Sequence, residues 1–171
     1  MKSGYSFRCA LLYAALFIAI KLSVFFTHAQ FISIGAYAPL IALTLIVIPL
    51  YFGIKNKRDQ ELNGFISLRE VMKTGFFISF ISSLLISVFI FIYYQYIDRE
   101  IVTHWIAEAQ RLGVKENKSA DEIKTAIETL TRFYSPFNQV TGVLTGVLGV
   151  GIVLSFILSS FLVRRSAAEI N

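Results

Sequence analysis

Four apolar stretches, each long enough to cross a lipid bilayer, take up most of this chain and settle its solvent before any motif is read. They run Cys9–Phe26, Ile34–Ile54, Gly75–Tyr96 and Phe137–Val163. A hydrocarbon layer of about 30 Å takes about 20 residues of helix to cross. The stretches are apolar all round, where a core helix of a water-soluble protein would keep a polar face. With 56% hydrophobic and 16% charged residues among 171, a chain this small has no single core in which to hide so many Phe, Ile and Leu side chains. The expected fold class is all-α, an integral membrane four-helix bundle forming one membrane domain over residues 1–171.

The first stretch also has the outline of a secretory signal: Lys2 and Arg8, the apolar Cys9–Ile20, then Thr27-His28-Ala29 with small residues where cleavage would fall. The apolar run, however, passes Lys21 and reaches Phe26, which is spanning length, so a retained helix is the expectation. The lone Cys9 has no CxxC or Cys/His companion and reads as a small buried apolar residue.

Net charge is +5, and its distribution is a topology signal. Lys2 and Arg8 precede the first span, Lys55, Lys57, Arg58, Arg69 and Lys73 lie between the second and third, and Arg164 and Arg165 close the fourth. The positive-inside rule then places both termini in the cytoplasm. The opposite segment, Ile97–Ser135, has its basic residues outnumbered by acidic ones. Nothing interleaves the cations with aromatics as a nucleic-acid surface would, so no nucleic-acid partner is expected. The Lys55–Arg58 cluster suits contact with membrane lipids of negative charge.

The connections are economical. Thr27–Ser33 is short, so spans one and two should be antiparallel neighbours. Pro39 falls near the start of span two, where a missing N–H costs little, and Pro49 should kink or fray its last turn. Asn63-Gly64 marks a turn, and Ser67-Leu68-Arg69-Glu70 has the spacing of a capping box, which starts helix three near Leu68. The long outer segment reads as an amphipathic helical hairpin between spans three and four. Ile101, Trp105, Ala109 and Leu112 share one face, with Gly113 as the stop. Ser119-Ala120-Asp121-Glu122 opens a second helix with Ile123, Ala126/Ile127, Leu130 and Phe133/Tyr134 as its stripe, ended by Ser135-Pro136. That hairpin either caps the bundle or docks a partner, with Trp105 as the candidate anchor.

Packing within lipid relies on close backbone approach, because hydrocarbon supplies no hydrophobic drive between helices. Small residues at every fourth position mark the candidates: Gly75, Ser79, Ser83 and Ser87 in span three; Gly142, Gly146 and Gly149 in span four, with Ser155 and Ser159 further on; Ala15, Ala19 and Ser23 in span one. The ladder can join helices within one chain or between two copies in a homo-oligomer, and intrachain packing is the expectation.

Chemistry is thinly represented. Lys21 is the one ionisable residue within the spans, placed either to snorkel outward or to face the bundle interior. There is no HExxH, GxSxG or Walker loop, and His28 and His104 lack companions at ligand spacing. No catalytic residue, metal or cofactor is expected. Tyr93, Tyr94, Asp98 and Arg99 are the best set an enzyme could offer.

Three tracts carry a family resemblance: Gly53-Ile54-Lys55 with Asn63-Gly64-Phe65-Ile66-Ser67-Leu68-Arg69-Glu70-Val71-Met72-Lys73-Thr74-Gly75; Tyr93-Tyr94-Gln95-Tyr96-Ile97-Asp98; and Phe133-Tyr134-Ser135-Pro136. In these the chain resembles the bacterial four-span membrane family registered as domain of unknown function 4199. The resemblance implies a four-helix protein of the bacterial inner membrane with no catalytic residues to carry over. Genes of that family often neighbour a glycosyltransferase of the polyprenyl-phosphate sugar synthase type, which implies a cell-envelope role beside a protein handling lipid-linked sugars. The expectation is a non-enzymatic accessory or scaffold subunit that binds another membrane protein. Lys55, Lys57, Arg58, Phe65, Arg69, Lys73 and Trp105 are the candidate partner or lipid contacts. The alternative is a small carrier or lipid-handling protein, in which Lys21 and the Ser79/Ser83/Ser87 stripe would face one polar cavity.

Overall fold

The computed structural model describes residues 4–31 and 33–164, without the side chains of 33–36; Lys2 and Arg165 lie outside the described residues. These are helical throughout apart from the turns, with no strand beyond one isolated bridge. The helices are α1 (Gly4–Phe26), α2 (Ser33–Thr44), α3 (Val47–Asn56), α4 (Leu68–Ile92), α5 (Glu100–Lys115), α6 (Ala120–Phe133) and α7 (Pro136–Leu162). Four segments among them, Gly4–Phe26, Tyr37–Glu61, Leu68–Ile97 and Pro136–Leu162, are long and apolar enough to cross a membrane.

The second span is interrupted at Leu45 and Ile46, a turn before Pro49 and closer to mid-span than the last-turn disturbance expected. Proline has no N–H to give the carbonyl of Leu45, and its ring crowds that carbonyl. The backbone answers with tighter bonds, Ile46 N–H to Leu43 O at 3.4 Å and Ile48 N–H to Leu45 O at 3.2 Å, before Leu50 N–H returns to Ile46 O at 3.1 Å. Pro39 sits inside α2 without a break. Spans two and three each end in one wider π-helical turn, Lys57–Glu61 and Tyr93–Ile97, closed by Leu62 N–H on Lys57 O (3.1 Å) and Asp98 N–H on Tyr93 O (2.9 Å).

The chain gathers into two compact units, Met1–Ile86 with Leu144–Asn171, and Ser87–Val143. In the first, α4 and α7 run antiparallel in a single register. Ile66 and Arg164 exchange backbone hydrogen bonds of 3.0 and 3.1 Å. Further along the same register Gly75 meets Ser155, and Ser79 meets Gly151. A Cβ placed on Gly75 would lie 2.6 Å from the Cβ of Ser155, and one on Gly151 2.6 Å from the Cβ of Ser79. Each glycine is thus the socket for the other helix's serine. Each serine hydroxyl turns back to its own helix: Ser79 Oγ donates to Gly75 O (2.8 Å) and Ser155 Oγ to Gly151 O (2.6 Å). Gly53 is similarly filled by Ile78. α1 joins through Ser82 Oγ to Ala10 O (3.2 Å) and Tyr13 Oη to Ala42 O (3.0 Å). Ile46, Leu50, Ile54, Val71, Ile78 and Val147 complete a buried core.

In the second unit α5 and α6 pack on each other where Ile123 covers Gly113, leaving 2.6 Å between Ile123 Cγ1 and any Cβ at 113. Gly113 is therefore a contact and not the expected stop. The helix continues to Lys115, and the reversal falls to Asn117, whose φ of +55° is left-handed. Ser119 opens α6 with both halves of a capping box in place. Pro136 begins α7 as well as following α6, since the first helical turn needs no N–H there.

Candidate functional site

The basic residues between spans two and three converge with the end of α7, and the structure sorts them into spent and available charge. Arg58, carried on the π-turn, is buried and grips Asp59 with two bonds, Nε to Oδ1 at 2.6 Å and Nη2 to Oδ2 at 3.2 Å. Its carbonyl accepts from Gly64 N–H at 2.8 Å, within a turn where Asn63 and Gly64 both take positive φ. Lys57 pairs with Glu70 Oε2 at 2.9 Å and Lys73 with Oε1 at 3.3 Å. Ser67 accepts from Glu70 N–H at 3.4 Å, but the carboxylate that should complete this box is committed to the two lysines. Ile66 is buried and strapped to Arg164, while Phe65 beside it is half exposed. Arg69 is exposed with no ion pair among the described residues, and Lys55 lies over the Tyr51 ring at 5.8 Å. Of the candidate contacts here, Lys57 and Arg58 serve the fold, and Phe65, Arg69 and Lys73 face outward.

The small-residue ladders divide the same way. Gly75, Ser79 and Ser83 are buried, the last with its hydroxyl on Phe80 O at 2.9 Å. Ser87 is buried with no hydrogen-bond partner for its hydroxyl among the described residues. Gly142, Gly146 and Gly149 are elsewhere: a Cβ on any of them would meet no atom of the described residues within 4 Å. The seam on α7 uses Gly151, which the ladder reading passed over although Gly151-x-x-x-Ser155-x-x-x-Ser159 repeats the spacing of Gly75-x-x-x-Ser79-x-x-x-Ser83. Ser79 is packed into that seam. Lys21 is half-buried in α1 and has a partner.

The second unit assembles an aromatic and acidic cluster from three elements. Tyr93 and Asp98 are both buried, and Tyr93 Oη donates to Asp98 Oδ2 at 2.7 Å across the π-turn. The Tyr94 ring stands 5.1 Å from Tyr93 and 6.3 Å from Tyr134. Trp105 is half-buried, and its ring is 5.4 Å from His104. Tyr93, Tyr94 and Asp98 thus come together as a set, whereas Arg99 leaves it for Gln95 O (2.9 Å) and the Tyr96 ring. Tyr134 is the member that the sequence reading did not join to this set; its signals were the apolar stripe of the second outer helix and the Phe133–Pro136 tract. Burial, reinforced by the Asp98 carboxylate, holds the Tyr134 phenol above its usual range. Chemically, one phenol–carboxylate bond among rings is a device for fixing a turn. Among the described residues no three of His, Cys, Asp and Glu converge as metal ligands do.

No curated protein and no solved structure matches this chain. The family described as "Protein of unknown function (DUF4199)" matches residues 5–164, taking in the charged turn, the helix seam and the aromatic cluster together, and the chain belongs to that family.

Proposed function

We propose that the protein is a non-enzymatic accessory or scaffold subunit of the bacterial inner membrane, which holds another cell-envelope membrane protein against α7. The observation that carries the reading is the contrast along that helix. Gly151 is filled by Ser79, while Gly146 and Gly149 on another face are open. In lipid a glycine face gives a helix little unless a second backbone comes close to it, so an open one is a seat for a helix from outside the fold. A partner acting on lipid-linked sugars is the finer expectation that the family resemblance carries.

The orientation reading, with both termini cytoplasmic, is supported by how the basic ends gather. Ile66 is bonded to Arg164, Lys57 to Glu70 at the start of α4, and Cys9 lies 3.7 Å from the Cβ position of Gly53 near the end of α3. Of the Ser79/Ser83/Ser87 stripe that the carrier alternative would use, Ser79 packs against Gly151. The test is affinity purification of the tagged chain from its native membrane in mild detergent, compared with Gly146→Leu. The reading expects one stoichiometric membrane protein with the wild type and its loss from a Gly146→Leu chain that unfolds at the same denaturant concentration. A chain that emerges without a partner, or a Gly146→Leu chain that keeps it, overturns the reading.

A further inference from the structure

One face of α4 has the layout of a membrane lipid. Arg69, Lys73, Phe76, Phe80 and Leu84 fall within about 80° of one another around a helix of 3.6 residues per turn, and all five are exposed. The two cations come first and the apolar residues follow, at the end of the span that carries the charged turn. Phe76 and Phe80 stack with their rings 5.8 Å apart and 16° from parallel, forming a continuous flat strip. From Lys73 to Leu84 the helix rises about 16 Å, close to half of a hydrocarbon core of about 30 Å. An acyl chain lying along this strip from a headgroup at Lys73 would therefore end near mid-bilayer.

The charge on this end is also incompletely balanced from within. Glu70 is shared between Lys57 and Lys73, so the three together keep one positive charge over. Arg69 adds another with no ion pair among the described residues. A guanidinium and an ammonium one helical turn apart can both reach the oxygens of one phosphate, and such pairs at the interface favour anionic headgroups.

We infer that α4 carries a site for one anionic phospholipid, with its phosphate on Arg69 and Lys73 and an acyl chain along Phe76, Phe80 and Leu84. The site requires no protein partner, so it can be tested on the purified full chain. In native mass spectrometry from micelles holding equal phosphatidylglycerol and phosphatidylcholine, the wild type should retain one phosphatidylglycerol in preference to phosphatidylcholine by about tenfold, as two cations at an anionic surface support. The double variant Arg69→Gln/Lys73→Gln should bring the ratio to parity. Lys115→Gln/Lys124→Gln, which removes equal charge from α5 and α6, should leave it unchanged. Phe76→Ala/Phe80→Ala should reduce retention of phosphatidylglycerol. If the double variant does not fold, the single Arg69→Gln, at an exposed residue, still has to lower the ratio. Equal retention of the two lipids by the wild type, or a ratio indifferent to Arg69 and Lys73, overturns the site. Displacement of the lipid by millimolar inorganic phosphate also overturns it as a lipid site and leaves a phosphate site.

Discussion

The same four-residue capping motif occurs twice in this chain and closes once. At Ser119–Glu122 the two halves are both made: Glu122 N–H reaches Ser119 Oγ at 3.3 Å, and the Glu122 carboxylate accepts from Ser119 N–H at 2.8 Å. At Ser67–Glu70 only the first half survives, at 3.4 Å, because Lys57 and Lys73 hold the carboxylate. The difference follows the two units. α5 and α6 are held by devices that work in water: the closed cap, the Arg111–Glu108 pair at 2.6 Å one turn apart, and Ile123 seated over Gly113. The first unit is held by backbone approach at Gly75 and Gly151, with each serine hydroxyl returned to a carbonyl. There a carboxylate is worth more as a tie between two spans than as a cap.

The largest expected effect therefore comes from adding one methyl group to the seam. Gly151→Ala puts a Cβ 2.6 Å from the Ser79 Cβ, an atom the backbone fixes and no rotamer change can move. Overpacking of this kind costs about 1–3 kcal/mol, read as a lowered midpoint when the protein is unfolded by SDS in mixed micelles. Gly146→Ala, on the open face of the same helix, should stay within about 0.5 kcal/mol of wild type. Because the socket is reciprocal, Ser79→Gly should recover part of the Gly151→Ala loss, with a coupling of about 0.5 kcal/mol or more. If Gly151→Ala and Gly146→Ala behave alike, the distinction between filled and open glycines fails.

A smaller effect separates the two caps. Ser119→Ala should cost α6 about 1 kcal/mol, seen as roughly fivefold faster hydrogen exchange at the amides of Glu122 and Ile123. Ser67→Ala should cost no more than a few tenths, since its bond is long and Lys57 keeps Glu70 in place whether or not the hydroxyl is there. Equal effects at the two serines would mean that the lysine ties contribute nothing to the start of α4.

How much of this could be read in advance depends on whether the cause was local. The presence of four apolar spans, the start of α4 at Leu68, the Asn63-Gly64 turn and the cap at Ser119 all follow from residues adjacent in the chain. Gly151 was passed over because the spacing of small residues says that a helix can be approached and not which turn meets a neighbour. Only the register tied down by Ile66 and Arg164 selects it over Gly146. Arg58 and Lys57 read as a free basic cluster because their acids, Asp59 and Glu70, are a neighbour in sequence and a neighbour only in space. Pro49 was recognised as a disturbance, but the break lands four residues earlier, at the carbonyl it cannot serve. Tyr134 was invisible as a member of the aromatic cluster for the same reason as Gly151: Tyr94 lies forty residues before it in the chain and 6.3 Å from it in space.

The smallest effect lies in that cluster and appears only in alkali. Burial first, and then the charge of Asp98, disfavour the Tyr134 phenolate, so the folded state keeps this proton to a higher pH than the unfolded chain, whose tyrosines ionise near 10. Above that value the folded state binds more protons than the unfolded one, and stability must fall as pH rises. The contribution is complete below pH about 10 and is lost as pH passes through the raised value. Tyr134→Phe should therefore flatten the decline of α5–α6 helicity above pH about 10, and should remove one late-ionising phenol from the ultraviolet titration. Asp98→Asn removes only the lesser of the two causes, so it should bring Tyr134 partway back toward the ordinary range. An ordinary titration of Tyr134 in the wild type would mean that the cluster is wet, and that the second unit borrows less from burial than its packing indicates.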